Sequence, residues 1–87
     1  MSKVAIQKAI ARLKSEIDAL DGSQTVVKKK VTGLIRDLER QLENENGADH
    51  GPMIESLGDA IEQFGAEHPA IAGILNGIMT SLSNMGI

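Results

Sequence analysis

The side chains that could do chemistry in this sequence are few and scattered. There are two histidines, His50 and His68, and no cysteine. A helix-borne metal site sets two ligands three or four residues apart, so that they share a face. Neither histidine has a His, Cys or carboxylate at that distance ahead of it. Glycines, Gly47 and Gly65, stand where a Glu-x-x-His pair would need its glutamate. No serine lies in a Gly-x-Ser-x-Gly turn, and the glycines form no phosphate-cradling loop. Asp59 and Glu62 are a carboxylate pair at helical spacing, but on a face expected to be wet, with no neighbour to tune either proton. The sequence therefore predicts a protein that is not an enzyme, with no metal, no cofactor and no small-molecule substrate.

One cluster could recognise rather than react. Lys28, Lys29 and Lys30, with Arg36 and Arg40, could follow the phosphates of a nucleic acid or an anionic membrane surface. Asp37, Glu39 and Glu43 interrupt the run, and no aromatic side chain is present there to stack on bases. A solvent face laced with pairs such as Arg36–Glu39 and Arg40–Glu43 is the commoner meaning of such a run.

These residues are carried on segments with helical periodicity. Ile6, Ile10, Leu13, Ile17 and Leu20 step by four, three, four and three, a narrow heptad-like seam. Ser2 suits the N-cap, and Arg12–Glu16 and Lys14–Asp18 could pair along this helix. Asp21-Gly22-Ser23 breaks the pattern, with Gly22 suited to a left-handed helix end. Val27, Val31, Leu34, Ile35, Leu38 and Leu42 mark a second helix, and so short a connection makes the two an antiparallel hairpin. Residues 44–51 are expected to be a flexible polar linker. Pro52 suits the first turn of a third helix, whose stripe is Ile54, Leu57, Ile61 and Phe64. That helix ends near Gly65–Glu67. His68-Pro69 opens a fourth, with His68 at the N-cap and Pro69 at the first helical position.

The fourth segment is the most informative. From Pro69 to Ile87 there is no ionisable side chain. Ile71, Ile74, Leu75, Ile78, Leu82 and Met85 form one face. Gly73, Asn76, Gly77, Thr80 and Asn84 form the other. A surface helix normally carries charge on its wet side. Here that side is small and neutral, which suits close approach of another helix. The segment approaches the ~20 residues of a membrane span, but Asn76, Thr80, Ser81, Ser83 and Asn84 argue against insertion.

Charge is unevenly spread along the 87 residues, whose net charge is −3. All nine basic residues lie in Met1–Arg40 with five acids, giving +4. Gln41–Ile87 carries seven acids and no Lys or Arg, giving −7. A basic half of this kind can dock on an acidic half, within one chain or between copies.

The tail, from His68-Pro69-Ala70-Ile71 to Leu82-Ser83-Asn84-Met85-Gly86-Ile87, resembles the C-terminus of a family of short bacterial proteins, domain of unknown function 4404. The likeness extends over most of the chain as a layout: two amphipathic helices, a linker, a third helix ending at His-Pro, and an uncharged last helix. Lys28–Lys30 depart from the family's pattern, where acidic or neutral residues are usual. The resemblance implies a bacterial, cytoplasmic, helical protein and carries over no catalytic residue. The absence of cysteine fits that compartment.

The expectation is thus one all-α domain: a small bundle of about four helices, arranged as two hairpins and assembled into a homo-oligomer. Residues 1–43 would form a basic hairpin, and 52–87 an acidic third helix with the uncharged fourth. Ile10, Leu13, Ile17, Val31, Leu34, Leu38, Ile61, Phe64, Leu75, Ile78 and Leu82 would build the core. Gly73, Asn76, Gly77, Thr80 and Asn84 would meet a second copy or another helical protein. The expected role is interaction or scaffolding; the alternative is a regulator that binds an anionic surface through Lys28, Lys29, Lys30, Arg36 and Arg40.

Overall fold

Four amphipathic segments, each with one apolar stripe, can satisfy one another by closing into a ring around a shared core. The computed structural model, which describes residues 2–43 and 51–85, shows this arrangement. Helix α1 spans Ser2–Asp18, α2 Thr25–Glu43, α3 Gly51–Phe64 and α4 Pro69–Met85. The expected linker lies outside the described residues except for Gly51, which belongs to α3. Each helix packs on its neighbours in sequence, and α1 also closes on α4. The pairs α1–α4 and α3–α4 are the most extensive. Among the described residues α1 does not pack on α3, nor α2 on α4.

The core is wholly apolar. Ile6, Ile10, Leu13 and Ile17 enter from α1; Val27, Val31, Leu34, Ile35, Leu38 and Leu42 from α2; Met53, Leu57, Ala60 and Phe64 from α3. Helix α4 contributes Ile71, Ile74, Leu75, Ile78 and Leu82. No polar or charged side chain is buried among the described residues. One expected core residue is corrected: Ile61 is half-buried, like Ile54. The apolar arc of α3 is wide, and it turns so that Met53 and Ala60 point inward while Ile54 and Ile61 line its edge.

The turn between α1 and α2 differs in detail from expectation. Gly22 does not end α1 in a left-handed conformation; it opens a short 3-10 turn, Gly22–Gln24. Asp21 caps that turn in extended backbone, with φ −82° and ψ 176°. The Ser23 backbone N–H donates to Asp21 Oδ1 at 3.0 Å, and the Ser23 hydroxyl donates to the same oxygen. The Thr25 hydroxyl closes the turn by donating to the Gly22 carbonyl at 2.8 Å. These bonds favour the ionised carboxylate: first the Ser23 hydroxyl, then its N–H, hold the Asp21 carboxyl below its ordinary pKa. A lowered folded-state pKa adds stability above the unfolded value, and that stability is lost as pH falls through the folded value. Asp21→Asn is expected to keep the turn, because its amide oxygen still accepts, but to remove this group's share of the acid-side loss. Asp21→Ala is expected to lower Tm by a few degrees at pH 7. Thermal melts of the three chains from pH 3 to pH 7 check this; parallel curves would refute the assignment.

The α3–α4 turn is held by backbone. The Gly65 N–H donates to the Ile61 carbonyl at 2.8 Å, and the His68 N–H to the Phe64 carbonyl at 2.9 Å. The His68 carbonyl accepts the first bond of α4, from the Ala72 N–H at 3.0 Å, as an N-cap residue does. Pro69, with no N–H, follows at the position where none is needed.

Candidate functional site

The chemically capable side chains do not converge. His50 lies outside the described residues. His68, half-buried, borders a shallow depression of about 310 Å³ where the 3-10 turn meets the α3–α4 turn. Its walls include Ser23, Gln24, Val26, Gln63 and Glu67. Among the described residues no three His, Asp or Glu side chains gather closely enough to hold a metal ion. Asp59 and Glu62 are both exposed on α3.

The lysine run does not form one patch. Successive helical residues point about 100° apart, so Lys28, Lys29 and Lys30 fan around α2. All three are exposed. Lys29, Arg36 and Arg40 do fall in one row on the outer side, with Gly33 among them. Arg40 turns back to Asp37 at 3.8 Å rather than forward to Glu43. Lys14 likewise reaches across to Glu39 on α2, at 3.1 Å, rather than along its own helix to Asp18. That pair bridges an open groove between α1 and α2. The wider part of the groove, about 490 Å³, has Ile10 and Leu42 at its floor and Lys3, Gln7 and Glu43 at its rim. Exposed pairs of this kind contribute at most about 1 kcal/mol each, so the α1–α2 seam is held mainly by its isoleucines and leucines.

The outer face of α4 is different in kind. Gly73, Asn76, Gly77, Thr80 and Asn84 are all exposed, as is Ala70. A Cβ added at Gly73 or Gly77 would meet nothing within 4 Å. Each glycine weakens the helix by roughly 1 kcal/mol relative to alanine, and nothing in the chain's own packing requires it. Gly33 on α2 is equally open, so an open glycine alone does not mark a surface. What sets α4 apart is its surroundings: Gly33 stands among arginines and lysine, whereas the α4 glycines stand among neutral groups. The Thr80 hydroxyl donates to the Asn76 carbonyl at 3.0 Å, within its own helix. This satisfies its donor locally, within the helix.

The neutral surface extends beyond the residues that the sequence singled out. Gly58 of α3 lies beside the Met79 sulfur, 3.9 Å from where its Cβ would be, and Gly65 beside Ala72. Ile54 and Ile61, one turn either side of Gly58, stand half-buried on that same edge, as does Met79 on α4. The seam between α3 and α4 is therefore an apolar strip adjoining the glycine face. Taking Ile54, Leu57, Ile61 and Phe64 as one stripe, with Ile61 in the core, does not separate this edge from the interior. The excess width of the apolar arc, with Met53 and Ala60 added, was the available signal.

The fold and this surface define a class: a small, closed four-helix bundle with an all-apolar core and one uncharged side. The chain belongs to the family described as Domain of unknown function (DUF4404), whose model matches residues 6–87. No curated protein and no solved structure matches the chain significantly.

Proposed function

We propose that this chain is a non-enzymatic interaction module that self-associates through the outer face of α4 and the adjoining α3 edge. One observation carries the reading. A 17-residue helix, exposed along its outer side, has no ionisable group with which to hold water there. Half-buried Ile54, Ile61 and Met79 continue that side. A folded chain gains by covering such a surface, and an uncharged, partly apolar centre within a charged periphery is the usual anatomy of an interface. Another helical protein could occupy the same face; a second copy is always at hand and is the primary assignment. The absence of cysteine and the family's layout support a bacterial cytoplasmic setting. Among the described residues no helix is long and apolar enough to cross a membrane.

Gly77→Leu tests the reading. The added side chain has room in the isolated chain, so helicity by circular dichroism is expected to match the parent. Sedimentation equilibrium is expected to show self-association weakened about tenfold or more, because bulk at a close helix contact holds the backbones apart. Gly33→Leu, on the charged outer row of α2, is the control and should associate as the parent does. An unchanged profile for Gly77→Leu would remove this face from the interface.

A second reading has one observation in its favour, the outward row of Lys29, Arg36 and Arg40, with Lys28 and Lys30 flanking it. These could engage phosphates of a nucleic acid or an anionic membrane. Such binding falls steeply with salt, in proportion to the number of phosphates contacted. A gel shift and a vesicle pull-down, both negative at low salt, would dismiss it.

A further inference from the structure

The charge imbalance along the sequence becomes, in the folded chain, an imbalance between the two edges of the α4 face. Helix α4 is flanked by α1 on one side and α3 on the other. On the outer side of α1 stand exposed Lys8 and Arg12, with Glu16 half-buried one turn further on. On the outer side of α3 stand exposed Glu55, Asp59 and Glu62, and neither α3 nor α4 carries a basic residue. The levels also agree. Helices α1 and α4 are both 17 residues long and run oppositely between the same ends of the bundle. Lys8 and Arg12 therefore stand level with the middle of α4, near Thr80 and Asn76. The approach of Gly58 to Met79 puts the α3 carboxylates at that level too.

Two copies that cover each other's α4 faces symmetrically are related by a twofold axis lying in the shared face, with limiting directions across the helices and along them. An axis across them sets α1 against α1 and α3 against α3, so like charges meet on both flanks. An axis along them sets α1 of each copy against α3 of the other and leaves every residue at its own level. Resting on the self-association reading above, we propose that the protein forms a symmetric pair with its two α4 helices side by side and pointing the same way. Lys8 and Arg12 of each copy then face Glu55, Asp59 and Glu62 of the other. The neutral centre supplies the burial, and the charged flanks choose the orientation. The body measures 38 × 21 × 17 Å, so a long side has room for a footprint of the order of the ~800 Å² per partner that specific pairs bury.

Charge exchange in the full chain tests this, with light scattering coupled to size exclusion and sedimentation equilibrium as readouts. The parent is expected to be a pair that loosens as salt is added. Lys8→Glu with Arg12→Glu in one variant, and Glu55→Lys with Glu62→Lys in another, are each expected to weaken pairing about tenfold or more, since attraction becomes repulsion on both flanks. All four substitutions in one chain are expected to restore pairing to within roughly threefold of the parent. All sites are exposed, so circular dichroism should show the same helix content throughout. Charge-reversed variants that pair as tightly as the parent, a fourfold variant that stays apart, or a parent pair that tightens with salt would each overturn this arrangement and leave self-association standing. A parent that sediments as a single copy would overturn both.

Discussion

Leu75→Asp is expected to leave no folded protein at neutral pH. Leu75 is fully buried on the inner side of α4, the helix packed most extensively against both α1 and α3. Removing its side chain alone costs about 2–5 kcal/mol through lost transfer energy and the cavity left behind. The substitution also drives a carboxylate into a core with no buried polar side chain among the described residues, which costs several kcal/mol more unless the group takes up a proton. A domain of 87 residues is stable by only about 4–13 kcal/mol in all, so the sum is enough to unfold it. Circular dichroism at pH 7 should lose its helical signal, and acidification should restore part of it as the carboxyl is neutralised. Val26→Asp makes the same chemical change at a site 68% exposed and should shift stability by no more than about 0.5 kcal/mol. A cooperative melt of Leu75→Asp at the parent temperature would contradict the placement of α4.

Gly65→Ala is expected to be the most costly of the single-methyl additions. A Cβ there would collide with the Ile61 carbonyl oxygen and stand 3.5 Å from the Ala72 Cβ. The obstacle is backbone, so no rotamer can relieve it; the α3–α4 turn itself must move. Overpacking of this kind costs about 1–3 kcal/mol. Urea titration should show a lower midpoint at unchanged slope. Gly33→Ala, where a Cβ meets nothing, should instead raise stability by about 0.5–1 kcal/mol through helix propensity. A Gly65→Ala midpoint at or above the parent's would mean that the turn has another shape.

The helices were legible because their signals are local. Steps of three and four along Ile6–Ile17 and Val27–Leu42 mark one inward face each, and Pro52 and His68-Pro69 mark where backbone N–H groups go unused. Interior positions on α1, α2 and α4 follow from those stripes. Helix α3 is less legible. Six apolar residues, Met53, Ile54, Leu57, Ala60, Ile61 and Phe64, share its arc, and periodicity alone cannot say which part of a wide arc points inward. The neighbours decide that: with α2 on one side and α4 on the other, Met53 and Ala60 fill the middle while Ile54 and Ile61 are left at the rim. Ion pairing is hidden from the sequence for a similar reason. Lys14 has Asp18 one turn along its own helix and Glu39 on the next, and only the three-dimensional placement of α2 makes Glu39 the partner. At the first turn, Gly22 carries the residue type of a left-handed helix end, but Asp21 supplies a cap that makes that conformation unnecessary.

The uncharged side of α4 was visible as a run of letters; its neighbourhood was not. Sequence places Gly73, Asn76, Gly77, Thr80 and Asn84 on one face. It cannot show that α3 extends that face with Ile54 and Ile61, or that Lys8 and Glu62 stand on opposite banks of it. Those relations arise between segments far apart in the chain, and they turn a bland helix into a surface with an orientation.

The closure of α1 onto α4 has a consequence for how the chain comes into being. Helix α1 is synthesised before α2, α3 and α4, yet its broadest contact is with α4. Without α4, Ile6, Ile10 and Leu13 have only the narrower α2 seam for shelter, which the exposed Lys14–Glu39 pair bridges. The α1–α2 hairpin alone therefore leaves apolar surface uncovered, and it is the long-range packing of α4 that covers it. In the finished molecule the same dependence makes the two helices rise and fall together: amide protons of α1 and α4 should exchange with solvent as one unit, and loosening either should release the other.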